Sequence, residues 1–418
     1  MSRPTPRSAL LARLRDDRGA AALLLVAVLV ALVWANTPAR EAYADLWATE
    51  LRLGVGDVAV DLDLRHWVND GLMALFFLVV GIEISRELQV GALRHRRTAA
   101  IPAIAALGGM VVPALLYAAL NAGGPGGHGW GIVMATDIAF VVGLLAAMGD
   151  RVAPGVRVFL LSLAIVDDLG AIAVIAVFYS EGVAVLPLLG ALVVVVALVA
   201  LRPRMHAWRW PGFALAGLAL WLLVKDAGVH PTIAGVALGL IVPVVRPEGT
   251  LRAAAADRIE HALNPWSSFA VVPVFALANA GVPLDGAALE RAASSTVTIG
   301  VVLGLGLGKL LGIAGTALAA RRLGLGELPA GAPPRQIAAA AWLGGIGFTV
   351  SLFVTELAFS DPLLREEAKV GVLAASLGAA AVGVVALRRT TRPERTDTAR
   401  SAGADGPRRR TRRGRERW

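Results

Sequence analysis

The sequence predicts an all-α polytopic membrane protein of twelve transmembrane helices, built on an inverted repeat with two unwound crossing helices and carrying a small extracytoplasmic β-hairpin. The class follows first from composition: 56% of the 418 residues are apolar, 17% are charged and 46 are glycine, outside the usual range for a soluble domain. It follows next from clustering, because the apolar residues gather into about a dozen runs such as 19–35 and 183–201, and a helix needs roughly 20 largely apolar residues to cross hydrocarbon. Charge placement supplies the third observation, since arginines recur in every second connection between these runs.

The runs place spans near 19–36, 67–90, 98–120, 130–148, 157–179, 184–201, 210–224, 230–245, 266–281, 297–320, 337–359 and 368–387. One set of connections holds Arg13, Arg15 and Arg18, then Arg94, Arg96 and Arg97, Arg151 and Arg157, Arg202, Arg204 and Arg209, Arg246, Arg252 and Arg258, and Arg321, Arg322 and Arg335. The alternate set, around 41–63, 121–128, 180–181, 225–226, 284–290 and 361–367, is dominated by acids or glycines. A positive-inside reading puts both termini in the cytoplasm of a bacterial cell, with the chain in the inner membrane.

Three regions follow: a cytoplasmic N-terminal segment 1–18, a transporter domain 19–387 and a basic tail 388–418 expected to be disordered. The first run follows Arg13, Arg15 and Arg18 as a signal peptide would, but its length and the spans after it predict a retained helix. The net charge of +9 is concentrated in the tail, where twelve arginines face four acids, so it indicates anionic lipid near the membrane or a solubilising extension, and no nucleic-acid partner is expected. Cysteine is absent, which excludes disulfides, thiolate metal sites and cysteine nucleophiles.

Residues 48–64 form the longest outer connection. Alternation at Val58, Val60, Leu62 and Leu64 after the turn Gly54-Val55-Gly56-Asp57 predicts a β-hairpin, whose open edge could pair with a second copy of the chain to make a homodimer or fold locally as a flap.

Charged groups inside the spans carry the most information, because each costs about 2.5–3.5 kcal/mol near a helix centre. The fourth span centres on Thr136 and Asp137, the fifth on Asp167 and Asp168, and the tenth on Lys309, one of only three lysines beside 37 arginines. Adjacent residues on a helix point about 100° apart, so Asp167 and Asp168 cannot both face one partner. One of them is expected to hold a cation while the other is held by a counter-charge, for which Lys309 is the candidate. An ammonium can release its proton where a guanidinium cannot.

Two interruptions lie at similar depth, Ala135-Thr136-Asp137 between apolar halves and the glycine-rich stretch Gly344, Gly345 and Gly347 before Thr349 and Ser351. Broken helices crossing at mid-depth are a recurring transporter device, offering half-helix ends to ions. Each interruption falls in the middle span of a trio, 98–179 or 297–387, and the trios start from opposite faces, as an inverted repeat requires.

Further charges flank these spans. Asp70 lies near the outer end of the second, while Glu83, Arg86 and Glu87 lie near its inner end, with Glu83 and Glu87 sharing a face. Asp257, Arg258, Glu260 and His261 stand on the same inner side, so a cytoplasmic funnel whose charge responds to pH is one reading and ordinary interfacial snorkelling the other.

At WVNDGLMALFFLVVGIEISREL (67–88), ATDIAF (135–140), LAIVDDLGAI (163–172), GVHPTIAGV (228–236), RIEHALNPW (258–266), FALANAGV (275–282), GKLLGI (308–313) and GIGFTVSLF (345–353), the chain resembles the bacterial NhaA family of sodium/proton antiporters. The resemblance implies twelve spans with the fourth and eleventh unwound and crossed, and a site for transported Na+ at Asp167 and Asp168 assisted by Thr136 and Asp137. It further implies that Lys309 pairs with Asp167, that Glu83, Glu87, Glu260 and His230 take part in pH response, and that the chain dimerises through the outer hairpin. The chain departs from the family pattern at Leu310, where proline often follows the lysine, and at Asn264, where histidine is common.

The expected activity is secondary antiport exporting Na+ or Li+ against external protons, two protons per Na+, active at neutral to alkaline pH and needing no cofactor. Cation and protons would compete for one alternating site. A sodium-coupled symporter of an organic anion would need basic or amide groups for its co-substrate, and the core offers little beyond Lys309. Gly54-Val55-Gly56-Asp57 spells the GxGD string of intramembrane aspartyl proteases, but in an outer connection. The glycines before Lys309 are not a phosphate loop, because Leu310 stands at the Ser/Thr position.

Overall fold

A computed structural model describes residues 17–55, 58–94, 96–180, 182–202, 210–244, 254–329 and 331–390. Residues 1–16, Gly56 and Asp57, the connection 203–209 with Arg204 and Arg209, the connection 245–253 with Arg246 and Arg252, and the basic tail from 391 lie outside the described residues.

The chain is mostly helical. In order it forms α1 (Asp17–Ala35), α2 (Arg40–Ala48), β1 (Glu50–Val55), β2 (Val58–Asp63), α3 (Leu64–Gln89), α4 (Arg96–Asn121), a 3-10 helix Pro125–Val133 and α5 (Ile138–Met148). There follow α6 (Pro154–Phe178), α7 (Val185–Leu201), α8 (Trp210–Asp226), α9 (Thr232–Ile241), α10 (Ala254–Trp266) and α11 (Val272–Asn279). The chain continues through α12 (Gly286–Ser294), α13 (Thr296–Arg322), α14 (Pro334–Gly345), α15 (Phe348–Ala358) and α16 (Pro362–Thr390).

Six of these, α1, α3, α4, α6, α13 and α16, are long and apolar enough to cross a membrane. Two bent pairs qualify when each is taken as one span: Pro125–Val133 with α5, bent by 41°, and α14 with α15, bent by 42°. That makes six to eight candidate spans among the described residues. The ten residues of α9 reach only about 15 Å at 1.5 Å per residue, half the thickness of hydrocarbon. Leu115, Leu186, Val193, Leu215 and Leu377 are among many large apolar side chains that face outward, a surface suited to lipid rather than water.

Glycine lets the helices approach closely. A methyl on Gly235 of α9 would stand 2.0 Å from the carbonyl oxygen of Ala74 on α3, and one on Gly239 would stand 2.4 Å from that of Leu78. The α4–α13 crossing repeats the device, with Gly312 facing the Gly108 carbonyl oxygen at 2.2 Å and Gly108 facing that of Gly312 at 2.5 Å. Small residues serve in this way wherever dispersion must hold helices together in lipid.

The strands β1 and β2 pair antiparallel, with Glu50 opposite Asp63 and Leu53 opposite Val60. Trp67 Nε1 donates to the Leu51 carbonyl at 2.8 Å and fastens the ladder to α3, while Asp63 caps the start of that helix by accepting from the His66 amide at 2.7 Å.

Candidate functional site

The two breaks lie against each other. The Asp137 amide donates to the Ile346 carbonyl at 2.6 Å, Thr136 Oγ1 donates to the Gly344 carbonyl at 2.8 Å, and Ser351 Oγ donates to the Ile132 carbonyl at 2.6 Å. Carbonyls that lose their helical partners at a break must find others, and here each break serves the other. Gly345 fits because any side chain there would collide with the Leu305 carbonyl of α13, 2.1 Å from a Cβ position.

Asp137 begins α5 and its Oδ1 accepts from the Phe140 amide at 3.0 Å. Its Oδ2 accepts from the Thr349 amide at 3.0 Å and from Thr349 Oγ1 at 2.6 Å, at the start of α15. One carboxylate thus caps the positive ends of two half-helices.

Lys309 answers from the opposite sign. Its ammonium donates to the Met134 carbonyl, to Thr136 Oγ1 at 3.1 Å and to Asp167 Oδ2 at 2.7 Å. Both members of the Asp167–Lys309 pair are 0% exposed. Two π-helical turns, Gly304–Gly308 and Leu311–Gly315, flank Lys309 on α13, widened geometry that is frequent at functional sites.

Asp167 and Asp168 project from the middle of α6, both buried. Asp167 Oδ1 and Asp168 Oδ1 are buried oxygens without a hydrogen-bond partner in the protein. Unpartnered carboxylate oxygens are costly in apolar surroundings and are the atoms able to take a proton or a hard cation.

The structure therefore gathers Thr136, Asp137, Asp167, Asp168 and Lys309 into one buried cluster, and places Glu83 of α3 near enough for its charge to act on Asp168. Arg86, at the far end of α3, reaches beyond its own helix. Its guanidinium donates across to α10, to Glu260 Oε1 at 2.8 Å and Asp257 Oδ1 at 2.7 Å. Asp70 stands toward the hairpin end, 16 residues before Arg86 and about 24 Å along the helix.

His230 belongs with Asp70 rather than with the Arg86 group. Its Nε2 lies 3.5 Å from Asp70 Oδ1, its Nδ1 is 2.8 Å from Thr232 Oγ1, and its ring meets Phe353 edge-on. Asp70 and His230 line a cavity of about 760 Å³ at the hairpin end, with Asp63, Lys225 and Glu356 also in its wall.

Sequence reasoning did not assign Thr349 to Asp137, although a hydroxyl following the glycines was noted. It also missed the buried amide pair between Asn279 Nδ2 and Asn69 Oδ1 at 2.8 Å, which joins α11 to α3.

Spans of this length, an apolar outer surface and a buried carboxylate–lysine cluster at paired helix breaks define a multi-pass membrane protein of the secondary-transporter class. The comparisons make this specific. The family model described as Na+/H+ antiporter 1 matches residues 12–387, and the chain belongs to that family, whose members are secondary transporters rather than enzymes. It is 47% identical over 404 residues to the Na+/H+ antiporter NhaA 3 of Frankia alni, covering 90% of this chain and 87% of that one. It is 43% identical over 402 residues to the Na+/H+ antiporter NhaA of Rhodospirillum rubrum, covering 94% of this chain and 100% of that one. Against the Na+/H+ antiporter NhaA 1 of Mycolicibacterium vanbaalenii it is 43% identical over 403 residues, with 90% of this chain covered but only 65% of the longer relative.

Proposed function

We propose that this protein exports Na+, or Li+, across the bacterial inner membrane in exchange for external protons. The observation that carries the reading is the Asp167–Asp168 pair buried on α6, with one oxygen of each lacking a protein donor and Asp167 held by Lys309. Such oxygens suit a hard cation, and two neighbouring carboxylates in apolar surroundings cannot both stay charged without one. Na+ and protons therefore compete, and competition at a site exposed alternately to the two faces yields exchange.

In this reading Asp168 and Asp167 bind the transported cation and protons, with Asp137 and Thr136 completing the cluster and Lys309 acting as charge partner. One proton is carried by Asp168 and a second by the coupled Asp167–Lys309 unit, so two protons move per Na+ and each cycle transfers net charge. Activity rises at neutral to alkaline pH, with Glu83, Arg86, Glu87 and Glu260 on the cytoplasmic side and His230 and Asp70 on the outer side taking part.

The architecture we infer has twelve spans, termini in the cytoplasm, and a domain 19–387 whose trios 98–179 and 297–387 form an inverted repeat around unwound, crossed fourth and eleventh spans. The near-equal bends of 41° and 42° support the symmetry. The hairpin joins two copies in a homodimer, and the basic tail rests on anionic lipid.

The test is cation-dependent proton flux in liposomes holding purified protein, under imposed voltage. Na+ or Li+ should dissipate a pH gradient in the wild type, at a rate that depends on voltage, and Asp168→Asn should abolish this. Retained exchange in Asp168→Asn would remove that residue from the site, and flux indifferent to voltage would rule out the unequal stoichiometry.

A further inference from the structure

A second buried ion pair stands apart from the cation cluster. Glu356, near the end of α15, meets Lys369 on α16 with Oε1 2.5 Å from Nζ, and the two side chains are 8% and 7% exposed. Arg365 adds a contact from NH1 to Glu356 Oε2 at 3.2 Å and donates through NH2 to the Ser360 carbonyl at 2.9 Å. Replacing a buried ion pair with apolar residues is often neutral or stabilising, so this one is weakly explained by stability alone.

Its position offers another explanation. The half-helix α15 is held at both ends: at its start Thr349 hydrogen-bonds Asp137, and at its finish Glu356 forms an ion pair with Lys369. The helix carrying Lys369 is in turn bound to the start of α13, where Ser295 Oγ donates to Glu367 Oε2 at 2.5 Å and Thr298 Oγ1 donates to the Glu367 carbonyl at 2.8 Å. Lys309 lies further along α13. A chain of polar contacts therefore runs from the helix bearing Lys309, through α16 and the Glu356–Lys369 pair, into the half-helix that bonds Asp137. The pair also stands where two cavities meet: Glu356 lines the one of about 760 Å³ and Lys369 one of about 490 Å³, with Arg65 and Arg365 in the walls of both.

We infer that Glu356 and Lys369 are positioning residues for cation exchange, an ionic clamp that fixes the outer end of α15 against α16 and thereby sets where Thr349 meets Asp137 at the break. This deepens the antiport reading and rests on it. The clamp acts through α15 and does not touch the transported ion, so its loss alters how well the site is formed rather than whether its carboxylates exist.

The test measures Na+/H+ exchange kinetics in liposomes for wild type, Glu356→Gln, Lys369→Met, the reversal Glu356→Lys with Lys369→Glu, and the conservative Lys369→Arg. Wild-type exchange tests the antiport reading by itself, and the variants test the clamp only once that exchange is seen. The single neutralising variants should raise the KM for Na+ by about fivefold or more, with kcat per folded molecule changed less than twofold, and the reversal should bring KM back to within about twofold of wild type. If the reversal yields no folded protein, Lys369→Arg carries the test: a KM near the wild-type value supports the clamp, and a KM as high as that of Lys369→Met overturns it. An unchanged KM in the folded single variants, or a folded reversal no better than they are, also overturns the assignment.

Discussion

Removing the ammonium of Lys309 isolates the energetics of the buried cluster. Lys309→Met keeps an unbranched side chain of similar reach but strips Asp167 Oδ2, Thr136 Oγ1 and the Met134 carbonyl of their shared donor. Breaking a buried pair by deleting one partner costs about 3–5 kcal/mol, because the charge left behind stays desolvated. At about 2.1 cal/mol/K of unfolding entropy per residue, a chain of 418 residues should lose about 3–6 °C of Tm. The assay is thermal unfolding of purified protein in detergent at neutral pH, followed by the fluorescence of its 10 tryptophans. The double variant Asp167→Asn with Lys309→Met removes both charges and should recover at least half of the lost Tm. A double variant no more stable than Lys309→Met, or a single-variant loss under about 1 °C, would refute the view that the charge left on Asp167 is what destabilises the single variant.

Three further outcomes are expected. Tyr43, buried on α2 and donating to the Leu277 carbonyl at 2.8 Å, is pushed up to about 12, chiefly by burial. A phenol whose folded value lies above its unfolded value of about 10 contributes stability that is complete below pH 10 and is lost as the pH rises through 12. That loss is about 1.4 kcal/mol at pH 11, and Tyr43→Phe should flatten this alkaline limb in a Tm-against-pH series. Gly312→Ala should destabilise by about 1–3 kcal/mol in thermal unfolding, because the new methyl meets the backbone of Gly108 at 2.2 Å, whereas Gly378→Ala, with open space around it, should leave Tm unchanged or higher. Asp137→Asn should lower Tm by disturbing the caps on α5 and α15, while Asp168→Asn should lose exchange without losing Tm; equal Tm in the two variants would sink that division of roles.

Much of the membrane architecture is legible because hydrocarbon imposes a strict length and polarity rule. The long apolar runs became α1, α3, α4, α6, α13 and α16. Asp137, Asp167, Asp168 and Lys309 stood out for the same reason, since only a specific use offsets a charge in oil. Tertiary partners were less legible. Spacing along α3 places Glu83, Arg86 and Glu87 together at one end, but helical spacing knows nothing of α10, whose Asp257 and Glu260 pair with the guanidinium. Nothing local in the sequence places His230 beside Asp70, where the structure puts it. Lys369 offered a usable signal, being one of three lysines in the chain, yet nothing local pointed to Glu356 thirteen residues earlier, because a reversal of chain direction lies between them.

The cluster divides its work by hydrogen-bond supply. Both oxygens of Asp137 are occupied by donors from α5 and α15, so this carboxylate is committed to the helix ends. Lys309 is likewise filled, with three acceptors for its three protons. What remains open to exchangeable occupants is the second oxygen of Asp167 and Oδ1 of Asp168. Asp167 is the one group on both lists, bound to Lys309 through one oxygen and free at the other. In the proposed antiport reading, a proton or cation arriving at that oxygen would weaken the attraction that holds the ammonium, and the ammonium donates to the Met134 carbonyl at the first break. On that reading, occupancy would be coupled to backbone position through a single side chain, a physical route from ion binding to the helix movement that alternating access requires.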